Sequence, residues 1–80
     1  MTRDESLLVA LLDGEASTAD IAEWTEIPDR TCRKGLRKLQ RDNYAWSPER
    51  GRWRLTNRGR VIAAELVADS EGARLARDSR

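Results

Sequence analysis

Six basic residues fall within twelve positions of this 80-residue chain with no acid among them: Arg30, Arg33, Lys34, Arg37, Lys38 and Arg41. Guanidinium and ammonium groups at that density do one kind of chemistry well. They pair with phosphate oxygens and displace the counterions of a polyanion, and arginine also reaches two acceptors at once along a planar edge. The spacing is helical. Arg30–Lys34, Arg33–Arg37, Lys34–Lys38 and Arg37–Arg41 each stand four residues apart. On an isolated helix each like-charge pair of this kind costs roughly 0.2–0.5 kcal/mol. A helix with that much internal repulsion implies a polyanionic partner that relieves it.

The rest of the chain sharpens the contrast. Residues 1–29 carry one base, Arg3, and eight acids, whereas residues 30–60 carry eleven bases and two acids, Asp42 and Glu49. A formal net charge of +1 therefore hides an acidic segment joined to a basic one. A plainer account makes the basic run a solvated face balanced by Glu23 or Glu26 against Arg30 or Arg33. Exposed pairs of that kind contribute little, and two acids do not neutralise six bases. Nucleic-acid contact is the reading favoured here.

Other chemistries find few residues to work with. The chain has no histidine and one cysteine, so the usual zinc ligand sets are missing and the thiol has no imidazole to activate it. It has no glycine loop that cradles phosphate and no paired carboxylates in a plausible cleft, so the expectation is a protein that is not an enzyme and takes no cofactor. No apolar run approaches membrane-spanning length, and Arg3, Asp4 and Glu5 before the first apolar stretch do not read as a signal peptide. The expected location is cytoplasmic, associated with the nucleoid, without membrane contact. A core this small offers no evident pocket for a small-molecule effector.

Local signals outline the scaffold that holds the basic run. Leu7, Leu8, Leu11 and Leu12 form an apolar helical stripe within residues 6–13; Thr2 and Glu5 have capping-box spacing, and Gly14 is a natural stop. A second helix is expected over Thr18 to Thr25, capped by Ser17 with Asp20, with Ile21 and Ala22 facing inward. Ile27-Pro28-Asp29 forms a joint in which Pro28 ends one helix and Asp29 caps the next. The third helix then runs from Arg30 to about Asp42, burying Cys32, Leu36 and Leu39, and Asn43 takes the left-handed exit. Tyr44-Ala45-Trp46 and Trp53-Arg54-Leu55 flank a Pro/Gly turn and read as a hairpin, with Trp46 and Trp53 as a cross-strand pair. Thr56 caps a fourth helix, with Val61, Ile62, Leu66 and Ala63 as the candidates for its apolar face. Ser70, Glu71 and Gly72 argue for an end or a break. The expected organisation is one domain over 1–69 and a polar tail or frayed helix end over 70–80.

This order resembles the winged helix-turn-helix family, including small regulators of the MarR and PadR type and archaeal phage-repressor-like winged helices. The residues that carry the resemblance are Ser17-Thr18-Ala19-Asp20-Ile21-Ala22-Glu23, Ile27-Pro28, Leu36-Arg37-Lys38-Leu39, and Trp53-Arg54-Leu55-Thr56-Asn57-Arg58-Gly59. The last segment looks like the wing exit of those regulators. The chain departs from the pattern at Asn43, where glycine is usual, and in lacking long flanking dimerisation helices. The implied fold is mainly α with a small β-hairpin: a three-helix core, a two-stranded wing and a C-terminal helix.

The resemblance implies a DNA-binding transcriptional regulator, a repressor acting by occupancy of double-stranded DNA. It places the third helix in the major groove and the wing on the adjacent backbone or minor groove. Carried over, Arg30, Thr31, Arg33 and Lys34 become base-reading residues, since arginine and lysine engage guanine and threonine contacts a thymine methyl. Arg37, Lys38, Arg41, Arg58 and Arg60 become phosphate contacts, and Arg50, Gly51 and Arg52 the wing contact. A homodimer on a palindrome is the expected assembly. The alternative is a winged-helix module for protein–protein interaction that uses the acidic first two helices and Trp24. For Trp24, core packing, a partner surface and a backbone contact all stay open. Cys32 reads as a small buried hydrophobe.

Overall fold

The computed structural model describes residues 2–78 of the chain, with side-chain surroundings described through residue 69. In chain order the elements are α1 (Arg3–Ala10), β1 (Ala16–Ser17), α2 (Thr18–Thr25), α3 (Asp29–Arg41), β2 (Ala45–Trp46), β3 (Arg52–Leu55) and α4 (Asn57–Asp78).

Local chemistry starts and stops most of these elements. Thr2 and Glu5 form the reciprocal capping box: Glu5 N–H donates to Thr2 Oγ1 at 3.2 Å and Thr2 N–H to Glu5 Oε1 at 3.1 Å. Helical geometry ends at Ala10 rather than Asp13, and turns lead to Gly14 at φ 136°. Ser17 caps α2 through Asp20 N–H at 3.1 Å. Thr25 Oγ1 donates back to Ile21 O at 2.7 Å, and Glu26 turns the chain in the left-handed region at φ 59°. Asn43 does the same after α3 at φ 65°.

Asp29 does not cap α3. The helix begins one residue earlier than expected, so Asp29 lies in its first turn and Pro28 stands at the N-cap with no side-chain hydrogen bond. Proline's fixed φ suits that entry, and Asp29 instead places negative charge beside the free N–H groups of the first turn.

The core is one cluster in which Leu7, Leu8 and Leu11 of the first helical region meet Ile21 of α2, Cys32, Leu36 and Leu39 of α3, and Ala63 of α4. Val61 is 57% exposed and belongs to the surface; Ala63 is fully buried, with Ile62 and Leu66 packed beside it. Backbone helix continues through Ser70-Glu71-Gly72 to Asp78, while the side chains of the tail expected over 70–80 lie outside the described residues. No helix among the described residues is long and apolar enough to cross a membrane.

The hairpin is part of a three-stranded antiparallel sheet in the order β1-β3-β2. Ala16 pairs with Trp53 and Ser17 with Arg52 on one side of β3; Ala45 pairs with Leu55 and Trp46 with Arg54 on the other. Trp46 and Trp53 are therefore not a cross-strand pair. Trp53 faces the core with Leu55 and is 8% exposed, whereas Trp46 shares the solvent face with Arg54 and is 43% exposed. Alternation along β3 puts residues 53 and 54 on opposite faces, and register assigns the outer one to Trp46.

Candidate nucleic-acid interface

Helix α3 buries one stripe, Cys32, Leu36 and Leu39, and so fixes where its basic residues point. At about 100° per residue the opposite crest is Arg30, Lys34, Arg37 and Arg41, and all four are exposed. Two flanks descend from that crest. On one, Asp29, Arg33, Arg37 and Gln40 face the wing and the start of α2 across an open groove of about 590 Å³, which Ser17, Thr18, Ala19, Ser47, Arg50, Gly51 and Trp53 complete. On the other, Thr31, Lys34 and Lys38 line a shallower depression of about 310 Å³ with Gly35 and with Arg3 and Asp4 of α1.

The four residues expected to read bases thus do not all share one face. Arg30 and Lys34 stand on the crest, Lys34 also lining the α1 side with Thr31, and Arg33 faces the wing-side groove. Thr31 and Arg33 are two positions apart and project about 160° apart around the helix axis. Thr31 is also half-buried.

The expected phosphate and wing residues differ in how free they are. Lys38 Nζ is bound to Asp4 Oδ2 at 3.0 Å. Arg52 Nε is bound to Glu15 Oε2 at 2.5 Å, and that carboxylate raises the guanidinium's pKa. The Arg58 guanidinium stacks over Tyr44, 4.7 Å from the ring centroid, and donates to the Tyr44 hydroxyl at 3.2 Å. Arg37, Arg41, Arg50 and Arg60 are exposed, and none of them enters an ion pair among the described residues. Glu23 and Glu26 make no ion pair with Arg30 or Arg33 among the described residues, so the balancing pairs considered from sequence do not form.

The wing has a defined base and tip. Arg52 N–H donates to Glu49 O at 3.0 Å across a turn in which Gly51 takes φ 79°, a conformation glycine adopts without steric cost. Ser47 Oγ lies 2.8 Å from Arg52 O inside the hairpin. Arg50 stands at the tip beside the groove.

Sequence reasoning missed several participants. Gln40 lies seven residues after Arg33 and lines the same groove, a periodicity visible in the sequence. The start of α2 lines the groove beside the wing because β1 pairs with β3, and Ser47 lines it from within the hairpin. Arg54 lies opposite Trp46 on the solvent face of the wing, which needs the strand register. Among the described residues no three histidine, cysteine, aspartate or glutamate side chains gather as a metal site would require.

No family model matches the chain, and no curated protein matches it. Solved structures do. A double mutant of ZitR from Lactococcus lactis in its apo form is similar over 95% of this chain and 62% of its own, with 27% identity and a TM-score of 0.85. The MarR family protein Rv2887 of Mycobacterium tuberculosis is similar over 94% of this chain and 60% of its own, with 29% identity and a TM-score of 0.72. BpsR of Bordetella bronchiseptica, whose DNA binding is regulated by 6-hydroxynicotinic acid, is similar over 95% of this chain and 59% of its own, with 25% identity and a TM-score of 0.76. The chain spans about six-tenths of the length of these proteins' chains. Its fold is the winged helix-turn-helix of DNA-binding regulators, with four helices and a small three-stranded sheet.

Proposed function

We propose that this domain binds double-stranded DNA as a small transcriptional regulator, a repressor acting by occupancy, with α3 in the major groove and the wing on the adjacent backbone or minor groove. The observation that supports this is the groove between α3 and the wing. Arg33, Arg37 and Gln40 line one wall and Arg50 the other, with the N-terminus of α2 at the base. Arginine and glutamine are the side chains that make paired hydrogen bonds to guanine and adenine edges. Arg30 and Arg41 on the crest are assigned to bases and phosphate respectively, Lys34 to bases from the α1 flank, and Arg60 to phosphate. Lys38, Arg52 and Arg58 contribute less directly, because Asp4, Glu15 and Tyr44 already hold them. Thr31 is assigned to bases from the same α1 flank as Lys34.

Homodimer formation on a palindrome belongs to the same proposal, because a single domain of this size has few base contacts. So does location on the nucleoid. The expectation of no small-molecule effector draws no support from the similar structures, since BpsR is regulated by one.

Binding to random-sequence duplex DNA across a salt series tests the proposal. The expected result is a Kd of about 10⁻⁴–10⁻⁶ M that weakens steeply with salt. Absence of binding at low salt would reject it.

One observation favours a second reading, a protein-interaction module. Trp24 is 59% exposed on α2 beside the exposed Asp20 and Glu23. A partner complex that survives high salt and nuclease, and is lost in Trp24→Ala, would support it over DNA binding.

A further inference from the structure

Thr18 occupies the first turn of α2 although Ser17 already caps that helix. Among the described residues it is the one buried polar side chain, 9% exposed. Threonine is a poor helix former, and its hydroxyl makes no bond within its own helix among the described residues. Its contacts are distant in sequence. The Thr18 backbone N–H donates to Gly51 O at 3.0 Å. The hydroxyl reaches the same carbonyl at 3.4 Å. The hydroxyl oxygen in turn accepts the indole N–H of Trp53 at 3.1 Å.

These bonds connect the first turn of α2 to the two wing residues on either side of Arg52. Gly51 is the left-handed residue of the wing turn, next to Arg50, and Trp53 is the core-facing residue of β3. Among the described residues they are the only side-chain hydrogen bonds between α2 and the wing. Pairing of Ser17 with Arg52 already joins β1 to the base of the wing, and the Thr18 bonds carry that link on to the wing turn at Gly51.

We propose that Thr18 is a positioning residue: its hydroxyl, held between the Trp53 indole and the Gly51 carbonyl, sets the wing tip against α2 so that Arg50 faces the α3 groove. The geometry stands on its own, while its effect on binding rests on the DNA-binding reading above. Preorganisation of this kind spares the ordering cost at the moment of binding.

The test uses the full chain. Exchange of the Trp53 indole N–H and the Thr18 amide is followed by NMR in wild type, Thr18→Val and Thr18→Ser; Trp53→Phe identifies the indole resonance by its loss. DNA affinity across a salt series is measured for wild type, Arg50→Ala, Thr18→Val and the Thr18→Val, Arg50→Ala double variant.

The expected result is at least tenfold faster exchange at both sites in Thr18→Val, with α3 amides unchanged and Thr18→Ser near wild type. On DNA, Arg50→Ala lowers the salt slope by about 0.9 in the wild-type background, and does little in the Thr18→Val background. Unchanged exchange in Thr18→Val overturns the proposal, as does an Arg50→Ala effect of equal size in both backgrounds. If Thr18→Val does not fold, Trp53→Phe removes the donor instead, and wild-type protection of the Thr18 amide in that variant overturns the proposal. If wild type does not bind DNA, the proposed function fails and the exchange measurements still decide the role of Thr18.

Discussion

Gly59 on α4 lies directly against the Tyr44 carbonyl: a Cβ at position 59 would overlap the carbonyl oxygen, lie 2.9 Å from the carbonyl carbon and press on Leu55 Cδ2 at 3.2 Å. The same carbonyl accepts Thr56 N–H at 3.1 Å, while Thr56 Oγ1 accepts Gly59 N–H at 3.0 Å and donates to Asn43 O at 2.7 Å. The Thr-x-x-Gly exit from the wing is therefore a junction that ties the end of α3, the start of β2 and the first turn of α4 together.

Gly59→Ala is expected to destabilise the fold. Alanine gains up to ~1 kcal/mol over glycine inside a helix, but overpacking costs about 1–3 kcal/mol, and the obstructing atom is backbone that cannot rotate away. Thermal unfolding checks the sign; a higher Tm in Gly59→Ala would show that α4 shifts at no cost.

The basic residues of α3 should separate by how free they are. Arg33→Ala, in the groove, is expected to reduce discrimination between sequences, with about 1–3 kcal/mol at stake for a paired base contact. Arg41→Ala should weaken all sequences alike and lower the salt slope by about 0.9. Lys38→Ala should do less, because Asp4 already pairs with it, and Asp4→Asn should steepen the slope by freeing it. Equal effects of Lys38→Ala and Arg41→Ala would show that the Asp4 pair does not persist in solution.

Acid should loosen the start of α1. The Thr2 backbone N–H, helped by the Thr2 hydroxyl, holds the Glu5 carboxyl below its ordinary value of 4.5. A carboxyl lowered by folding stabilises the fold fully above its unfolded value, and that contribution disappears as pH falls through the folded one. Below about pH 4.5 the wild-type Tm should therefore drop more than that of Glu5→Gln. Parallel pH profiles would show that the box adds no pH-dependent stability.

Cys32 should be inert in the folded protein. It is fully buried, with Sγ 3.5 Å from Ile27 O, and burial raises the thiol's pKa. Only the thiolate reacts readily, so alkylation at pH 8 is expected to follow unfolding and to accelerate with denaturant. Rapid modification in native buffer would mean that the start of α3 opens locally.

What the chain declared in its own sequence was short-range. The Thr2–Glu5 box, the Ser17 cap, the Cys32-Leu36-Leu39 stripe and the left-handed Asn43 each depend on residues within one or two helical turns, so spacing alone revealed them. The dense basic run was legible for the same reason, since charge and helical period are both local properties. Packing and register decided the remainder. Two residues are too few to show alternation, so β1 existed only once Ala16 and Ser17 met β3. Trp46 and Trp53 parted because register sends one side chain to solvent and the other to Thr18. Pro28 took the cap position from Asp29, and Val61 lost its place in the core to Ala63. Which basic residues of the segment remain free was likewise set by partners far away in sequence, Asp4 for Lys38, Glu15 for Arg52 and Tyr44 for Arg58. Periodicity reports which side of a helix is buried; only the packed fold reports what stands opposite each exposed side.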